Sequence, residues 1–207
     1  MRVIAGTYRS RPLQAPPGSA TRPTADRLRE TLFNVLQMRV AGSRVVDLYA
    51  GSGAVGIEAL SRGASFVWFA ENATAAAAAI RANLRTLGIN TGYSLEERSV
   101  AAVLERLARL PEPVDLVFLD PPYEAVGEYS AALGMLGSQR LVGLLAADAI
   151  VVVEHRRKTP LAAQYGQLER YRELRQGDAT LSFYRRATTD APQEPSHPDA
   201  DQSPDPR

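Results

Sequence analysis

The 207-residue chain has no cysteine, one lysine (Lys158) and two histidines (His155 and His197). Without thiols, neither a disulfide framework nor a thiolate metal centre can form. Two imidazoles alone make a poor zinc set, so no metal is expected. Long apolar runs are also missing. Met1-Arg2-Val3-Ile4-Ala5-Gly6 has no leader-like apolar stretch, and no segment reaches the length of a membrane span. A cytoplasmic protein with no membrane partner is therefore the expectation.

What is present is enough for one folded domain with extra segments: 45% of residues are hydrophobic and 23% charged. Residues 188–207 (TTDAPQEPSHPDADQSPDPR) lack large apolar side chains and are rich in Pro, Asp and Ser. Such a stretch cannot bury enough surface to offset its ordering entropy, so it reads as a disordered acidic tail. The net charge of +1 conceals a polarity along the chain. The tail carries five acidic residues against Arg207, which leaves the remainder at +5. Residues 1–40 hold seven arginines against Asp26 and Glu30, which is the same excess. A cationic N-terminal segment fits a polyanionic partner, although a solvated basic face has the same composition.

Along the chain, Val3–Gly6 and Arg11–Gln14 can pair as short strands, with Pro16-Pro17-Gly18 closing the segment. Thr24 offers an N-cap, and Leu28, Leu32, Val35 and Leu36 follow at helical spacing. From residue 44, strands and helices alternate. Strands are expected at 44–49, 66–70, 93–99, 114–119 and 149–154. Helices are expected from about 54 to 62, 74 to 87, 101 to 109 and 127 to 136. A terminal hairpin pairs 168–174 with 179–186 across Gln176-Gly177-Asp178. Repeated strand–helix units make a mostly parallel sheet with helices on both faces, here with an antiparallel hairpin at the C-terminal edge. The domain plan is an N-terminal basic extension (1–40, hairpin plus helix), an α/β domain (41–187) and the tail (188–207).

Ligands of open parallel sheets bind beyond the carboxyl ends of the strands, and three motifs fall there. Ala50-Gly51-Ser52-Gly53-Ala54-Val55-Gly56 contains G-x-G-x-x-G, with Glu71-Asn72 ending the next strand. The glycines admit a ligand close to the backbone, and Glu71 can accept ribose hydroxyls. Nicotinamide dinucleotides and S-adenosylmethionine both meet that description, and a glycine turn that merely packs a helix on a strand remains open. Asp47, four residues before the first glycine, favours the cationic S-adenosylmethionine, since a pyrophosphate would be repelled. Asp120-Pro121-Pro122-Tyr123 is the more informative motif. An exocyclic base amine is a poor nucleophile because its lone pair is delocalised into the ring. Asp120 and the Pro121 carbonyl can accept its two N–H groups and aim the lone pair at a methyl group. Pro121 and Pro122 fix the loop, and Tyr123 offers a ring for stacking an extruded base. Glu154-His155 ends a strand and could line the site, with His155 read as structural; Trp68 reads as core. Arg156-Arg157-Lys158 fits a phosphate contact or a solvated loop equally.

With these residues in view, the chain resembles the ribosomal RNA guanine-N2 methyltransferase D family over residues 2–186. The resemblance is carried by Arg22-Pro23-Thr24-Ala25-Asp26-Arg27-Leu28-Arg29-Glu30-Thr31-Leu32-Phe33-Asn34, by Asp47 to Gly53 with Glu58 to Ala64, and by Asp120 to Tyr123. It implies a Rossmann-like class I methyltransferase fold with a seven-stranded sheet, S-adenosylmethionine as donor, and small-subunit ribosomal RNA or the subunit itself as substrate. By the same resemblance Asp47, Gly51 and Glu71 would hold the cofactor, and Asp120, Pro121, Pro122 and Tyr123 the target guanine; Ala50, Ser52, Gly53 and Asn72, beside them at the strand ends, are further cofactor-site candidates. Two positions depart from the family pattern. Arg98-Ser99-Val100 stands where an acidic residue often meets adenine, leaving Ser99 or backbone for that contact. Asn72 stands where a charged residue is more usual. Arg9, Arg11, Arg22, Arg27 and Arg29 are the expected RNA clamp. The rivals are a DNA or RNA adenine-N6/cytosine-N4 methyltransferase, a nicotinamide-dependent dehydrogenase and a non-catalytic RNA-binding module. A sequence-reading DNA enzyme usually carries a larger recognition region than this chain can supply, and a dehydrogenase leaves Asp120–Tyr123 unexplained. A monomer is the simplest expectation.

Overall fold

The computed structural model describes residues 1–16 and 23–187, with backbone only for 23–25 and 142. The Pro17-Gly18 turn, Arg22 and the tail at 188–207 lie outside the described residues. Helix α1 spans Pro23–Val40 and is followed by β1 (Arg44–Leu48), α2 (Ala54–Ser61), β2 (Phe66–Ala70), α3 (Thr74–Leu87) and β3 (Tyr93–Glu96). Then come α4 (Val100–Leu107), β4 (Val114–Leu119), α5 (Val126–Leu136), β5 (Leu145–Arg156), β6 (Gln164–Tyr165), β7 (Leu168–Gln176) and β8 (Ala179–Arg186).

Most boundaries follow from local chemistry. Gly88, with φ of 72°, ends α3 in the left-handed conformation that glycine adopts without a Cβ penalty. Ser99 caps α4 through Ala102 N–H, which stops β3 at Glu96 rather than at Ser99. Three expectations are corrected. Thr24 lies inside α1 and does not cap it; Pro23, with no N–H to satisfy, suits a first-turn position. β5 starts at Leu145, four residues before Ala149, because Leu145 pairs with Val114 before an irregularity shifts the register to Leu116–Ile150. The expected strands in residues 3–14 reduce to a single bridge between Arg2 and Pro12: Val3 N donates to Arg11 O, but Val3 O accepts from Ser10 N while Arg11 N turns to Tyr8 O, so the ladder breaks at Ser10, whose φ is 66°.

The sheet has eight strands in the order β3-β2-β1-β4-β5-β8-β7-β6, the seven expected plus the two-residue β6. Strands β3 to β5 are parallel, and β8, β7 and β6 add on antiparallel. Side chains alternate between the two faces. Val45, Phe69, Leu116, Phe118, Val152 and Leu181 meet Leu28, Leu32 and Leu36 of α1, Ile57 of α2 and Leu84 of α3. Val46, Leu48, Val117, Leu119 and Val153 meet Val103 and Leu107 of α4 and Tyr129 and Leu133 of α5. The chain moves outward from β1 in one direction and from β4 in the other. A crevice is therefore left above the carboxyl ends of these two neighbours.

The N-terminal arm is fastened across this crevice by buried polar groups. The Glu58 carboxylate, fully buried in α2, accepts from Ile4 N (2.7 Å), Ala5 N (3.0 Å) and Arg62 Nε (2.7 Å). Asn83 of α3 accepts from Gln14 N at 2.7 Å and donates to both Gln14 O and Ser52 O. Removing one partner of a buried ionic cluster costs about 3–5 kcal/mol. Glu58→Ala is therefore expected to lose stability on that scale in urea unfolding, and Glu58→Gln, which keeps one acceptor, less. The loss should be accompanied by early proteolysis within residues 1–16.

Candidate active site at the carboxyl ends of β1 and β4

The crevice contains a cavity of about 170 Å³ lined by Asp47, Ala50, Gly51, Ser52, Asp120 and Glu154, among others. Its opposite wall is the N-terminal segment: Met1 with Leu28, Arg29 and Leu32 of α1. Three of its carboxylates share one origin. Asp47, Asp120 and Glu154 each lie two residues beyond an apolar side chain on the α1 face of the sheet, after Val45, Phe118 and Val152, and period-two alternation sends all three the same way. The β4–β5 ladder ends at Leu119–Val153. Asp120, the first residue after β4, and Glu154 of β5 therefore leave the ladder as neighbours, on chain segments about 5 Å apart.

The glycine loop is shaped by two acids. Asp47 Oδ2 accepts from Gly56 N at 2.9 Å and so pins the start of α2 to β1. Glu71 Oε2 accepts from Gly51 N at 2.8 Å, and its Oε1 accepts from Ala73 N at 2.8 Å. Gly51 and Gly53 have φ of 56° and 75°, which a side chain would strain. A Cβ on Gly56 would lie 2.2 Å from the Phe69 ring, so the third glycine serves helix–strand packing. Tyr49 also leaves β1 with a positive φ of 61°, its hydroxyl donating to Glu128 at 2.7 Å.

Burial, offset in part by Gly56 N–H and reinforced by the charge of Glu71, raises the Asp47 carboxyl to about 8. Asp120 is also pushed well above the usual carboxylate range, by burial first, then by Glu154 and Asp47. Glu154 is raised by burial against the lowering effect of the Tyr123 hydroxyl, which donates to Glu154 Oε1 at 3.2 Å. The Arg156 guanidinium lies 4.7 Å from the centre of the Tyr123 ring. Tyr129, its hydroxyl raised by burial to about 12, directs that hydroxyl at Pro121 O (3.5 Å). Among the described residues the Asp120 carboxyl has no hydrogen-bond partner, and the Glu154 carboxyl has only Tyr123.

The structure thus brings Asp47, Ala50, Gly51, Ser52 and Asp120 to one cavity, with Gly53 at the head of α2 and Glu71 joined to it through Gly51. Pro121, Pro122 and Tyr123 form the turn after β4. Asn72 and Ser99 are exposed at the ends of β2 and β3, with the Ser99 hydroxyl engaged as the α4 cap. Of the arginines, Arg9, Arg11 and Arg27 are exposed, Arg11 also donating to Thr86 O. Arg29 is corrected: it is 6% exposed and cannot belong to an outer clamp. Its guanidinium donates to Arg2 O (2.6 Å) and Asp26 Oδ1 (3.1 Å) and lies 4.0 Å from Glu58. Its leucine-flanked place on the buried stripe of α1 was the signal, outweighed by the charge count. His155 is structural as expected, buried and bonded to Ser182 Oγ at 2.9 Å, and Trp68 is core. Glu58, Asn83 and Tyr129 carried no sequence signal beyond an isolated polar residue within an apolar helical stripe.

A carboxyl that ionises near 4 in the unfolded chain but at about 8 when folded keeps a proton that unfolding releases. Stability of the ligand-free protein is therefore expected to fall as pH rises from 4 to 8. Asp47→Asn, which can still accept from Gly56 N–H, should remove part of that fall. Urea midpoints of both proteins across this pH range give the comparison.

Comparison with known proteins places this geometry. The family model described as "Conserved hypothetical protein 95" matches residues 1–185. Ribosomal RNA small subunit methyltransferase D of Escherichia coli K12 is 32% identical over 186 residues, covering 90% of each chain. YlbH of Bacillus subtilis 168, which carries a provisional rRNA methyltransferase name, is 33% identical, over 90% of this chain and 99% of its own. The solved structure of the Escherichia coli methyltransferase YhhF, also provisionally named, superposes with a TM-score of 0.76 at 30% identity, over 90% of this chain and 98% of that one. The chain belongs to the Conserved hypothetical protein 95 family, that of the ribosomal RNA small subunit methyltransferase D proteins.

Proposed function

We propose that the chain transfers a methyl group from S-adenosylmethionine to the exocyclic N2 amine of a guanine in small-subunit ribosomal RNA. The observation that carries this reading is the opening of the glycine loop and Asp120 onto one cavity, with the Asp120 carboxyl taking no hydrogen bond among the described residues. The donor set fits the cofactor. Asp47, Asp120 and Glu154 line the cavity and Glu71 borders it through Gly51, an environment that welcomes a sulfonium and repels a pyrophosphate. When bound, S-adenosylmethionine supplies the electrophilic methyl group.

The chain's own residues have separate tasks. Gly51 and Gly53 let the backbone approach the cofactor, Glu71 offers oxygens to ribose hydroxyls, and Asp47 holds the loop while facing the methionine portion. Asp120 accepts one N–H of the target amine and Pro121 O the other, so the lone pair is oriented and positive charge developing on nitrogen is stabilised. Tyr123, held at its hydroxyl by Glu154 and on one ring face by Arg156, offers its other face to an extruded base. Met1, Leu28 and Leu32 exclude water from the side opposite the strands. Exposed Arg9, Arg11 and Arg27 contact phosphate, with Arg22 beside them in sequence. The relatives named above support rRNA as the substrate class.

The test is transfer of labelled methyl from S-adenosylmethionine to small subunits, naked small-subunit RNA and duplex DNA, followed by nucleoside analysis. N2-methylguanosine in RNA is the expected product; methylated adenine or cytosine in either polymer would replace this reading with another amine target. Asp120→Ala should lower kcat by about 10²-fold or more and leave S-adenosylhomocysteine affinity within a few-fold of wild type. Full activity in that variant would remove Asp120 from the mechanism.

A further inference from the structure

Two carboxyl groups side by side on one sheet face are a cost to the fold, because like charges on neighbouring strands repel. Asp120 and Glu154 occupy such a position: they follow the Leu119–Val153 pair and share the α1 face, and they line the same cavity. No arginine bridges them. Arg156, the nearest cation in sequence, lies over the Tyr123 ring and reaches Glu124 instead. Among the described residues the Glu154 carboxyl receives a single hydrogen bond, from Tyr123, and the Asp120 carboxyl receives none. The sheet thus presents two neighbouring carboxyl groups to the cavity, and a ligand edge with two adjacent donors would satisfy both as acceptors.

Base edges differ in what they present to such a pair. Guanine carries two adjacent donors, N1–H and the N2 amine. Adenine and cytosine carry an amine next to a ring nitrogen lone pair. Flipped bases are read along this edge, and a partner that turns a lone pair toward a carboxylate is rejected as well as unrewarded. We propose that Glu154 is the specificity-determining residue of the site: it accepts a hydrogen bond from guanine N1–H while Asp120 holds the amine, and so excludes bases whose ring nitrogen is unprotonated. The inference rests on the methyl-transfer reading above and deepens it. Tyr123 then has a second role, since its hydroxyl on Glu154 Oε1 orients the carboxylate and leaves the other oxygen for the base.

2-Aminopurine tests this directly, because it keeps the 2-amino group and has no N1–H. The guanine labelled by the wild-type protein is first located in small-subunit RNA. It is then replaced by 2-aminopurine in an RNA assembled by splinted ligation. Sites built around a donor reject analogues lacking it strongly, so wild type is expected to favour guanine by about 10²-fold or more in kcat/KM. Glu154→Gln, whose amide can turn an N–H toward an unprotonated N1, should shrink that ratio by at least about tenfold, even as its rate on guanine falls. If the variant is too slow to assay on either RNA, competition between the two RNAs for binding gives the same ratio, followed by the fluorescence rise of 2-aminopurine on unstacking. Equal wild-type rates on the two RNAs, or an unchanged ratio in Glu154→Gln, would overturn the proposal. If wild type labels no guanine at all, the methyl-transfer reading itself falls, and the specificity inference falls with it.

Discussion

One buried carboxylate decides whether this protein has a closed site. Glu58 sits wholly inside α2 and draws in the backbone of Ile4 and Ala5 together with the Arg62 guanidinium, with that of Arg29 close by. A charge in that position is tolerable only when it is paired and hydrogen-bonded, so the N-terminal arm is a requirement of the buried glutamate as much as its beneficiary. Once the arm is seated, Met1 and the first turns of α1 are fixed over the strand ends. The N-terminal segment is therefore a wall of the cavity before it is anything else, with its basic side chains divided between the inside (Arg29) and the outside (Arg9, Arg11, Arg27).

The cavity itself accumulates negative charge in a setting that resists it. Asp47, Asp120 and Glu154 are all held above the ordinary carboxylate range by burial, and Asp47 and Asp120 by neighbouring carboxylates as well. A fold selected for stability alone would place apolar residues at these three positions, as it does two residues earlier on each strand. Paired perturbed acids in a crevice are the mark of a site prepared for a ligand. On the proposed reading they face a cationic donor and the amine that attacks it.

Much of this was legible in the sequence because the dominant signals are local. Strand–helix alternation, glycine punctuation and the position of the two motifs at strand ends gave the parallel sheet and the site's two halves. Phe66–Ala70, Thr74–Leu87 and Val114–Leu119 match the expected bounds. What escaped was non-local. The seating of Gln14 on Asn83 spans 69 residues, and the Glu58–Ile4 contact spans 54; no periodicity encodes either. The burial of Arg29 is hidden from composition, which counts charge without knowing which side of a helix faces the core. The two-residue β6 is too short for any pattern to announce it.

The placement of Asp120 and Glu154 on hydrogen-bonded neighbours has a bearing on how such a site can change over evolutionary time. Their spacing starts from the backbone ladder of β4 and β5, whose last pair, Leu119–Val153, immediately precedes them. Loop insertions and deletions, the cheapest form of divergence, leave that spacing untouched. If the two carboxyls read the base as proposed, descendants that accept a different base would arise by exchanging one of the two side chains, while loops around the rim remain free to follow changes in the shape of the surrounding polymer.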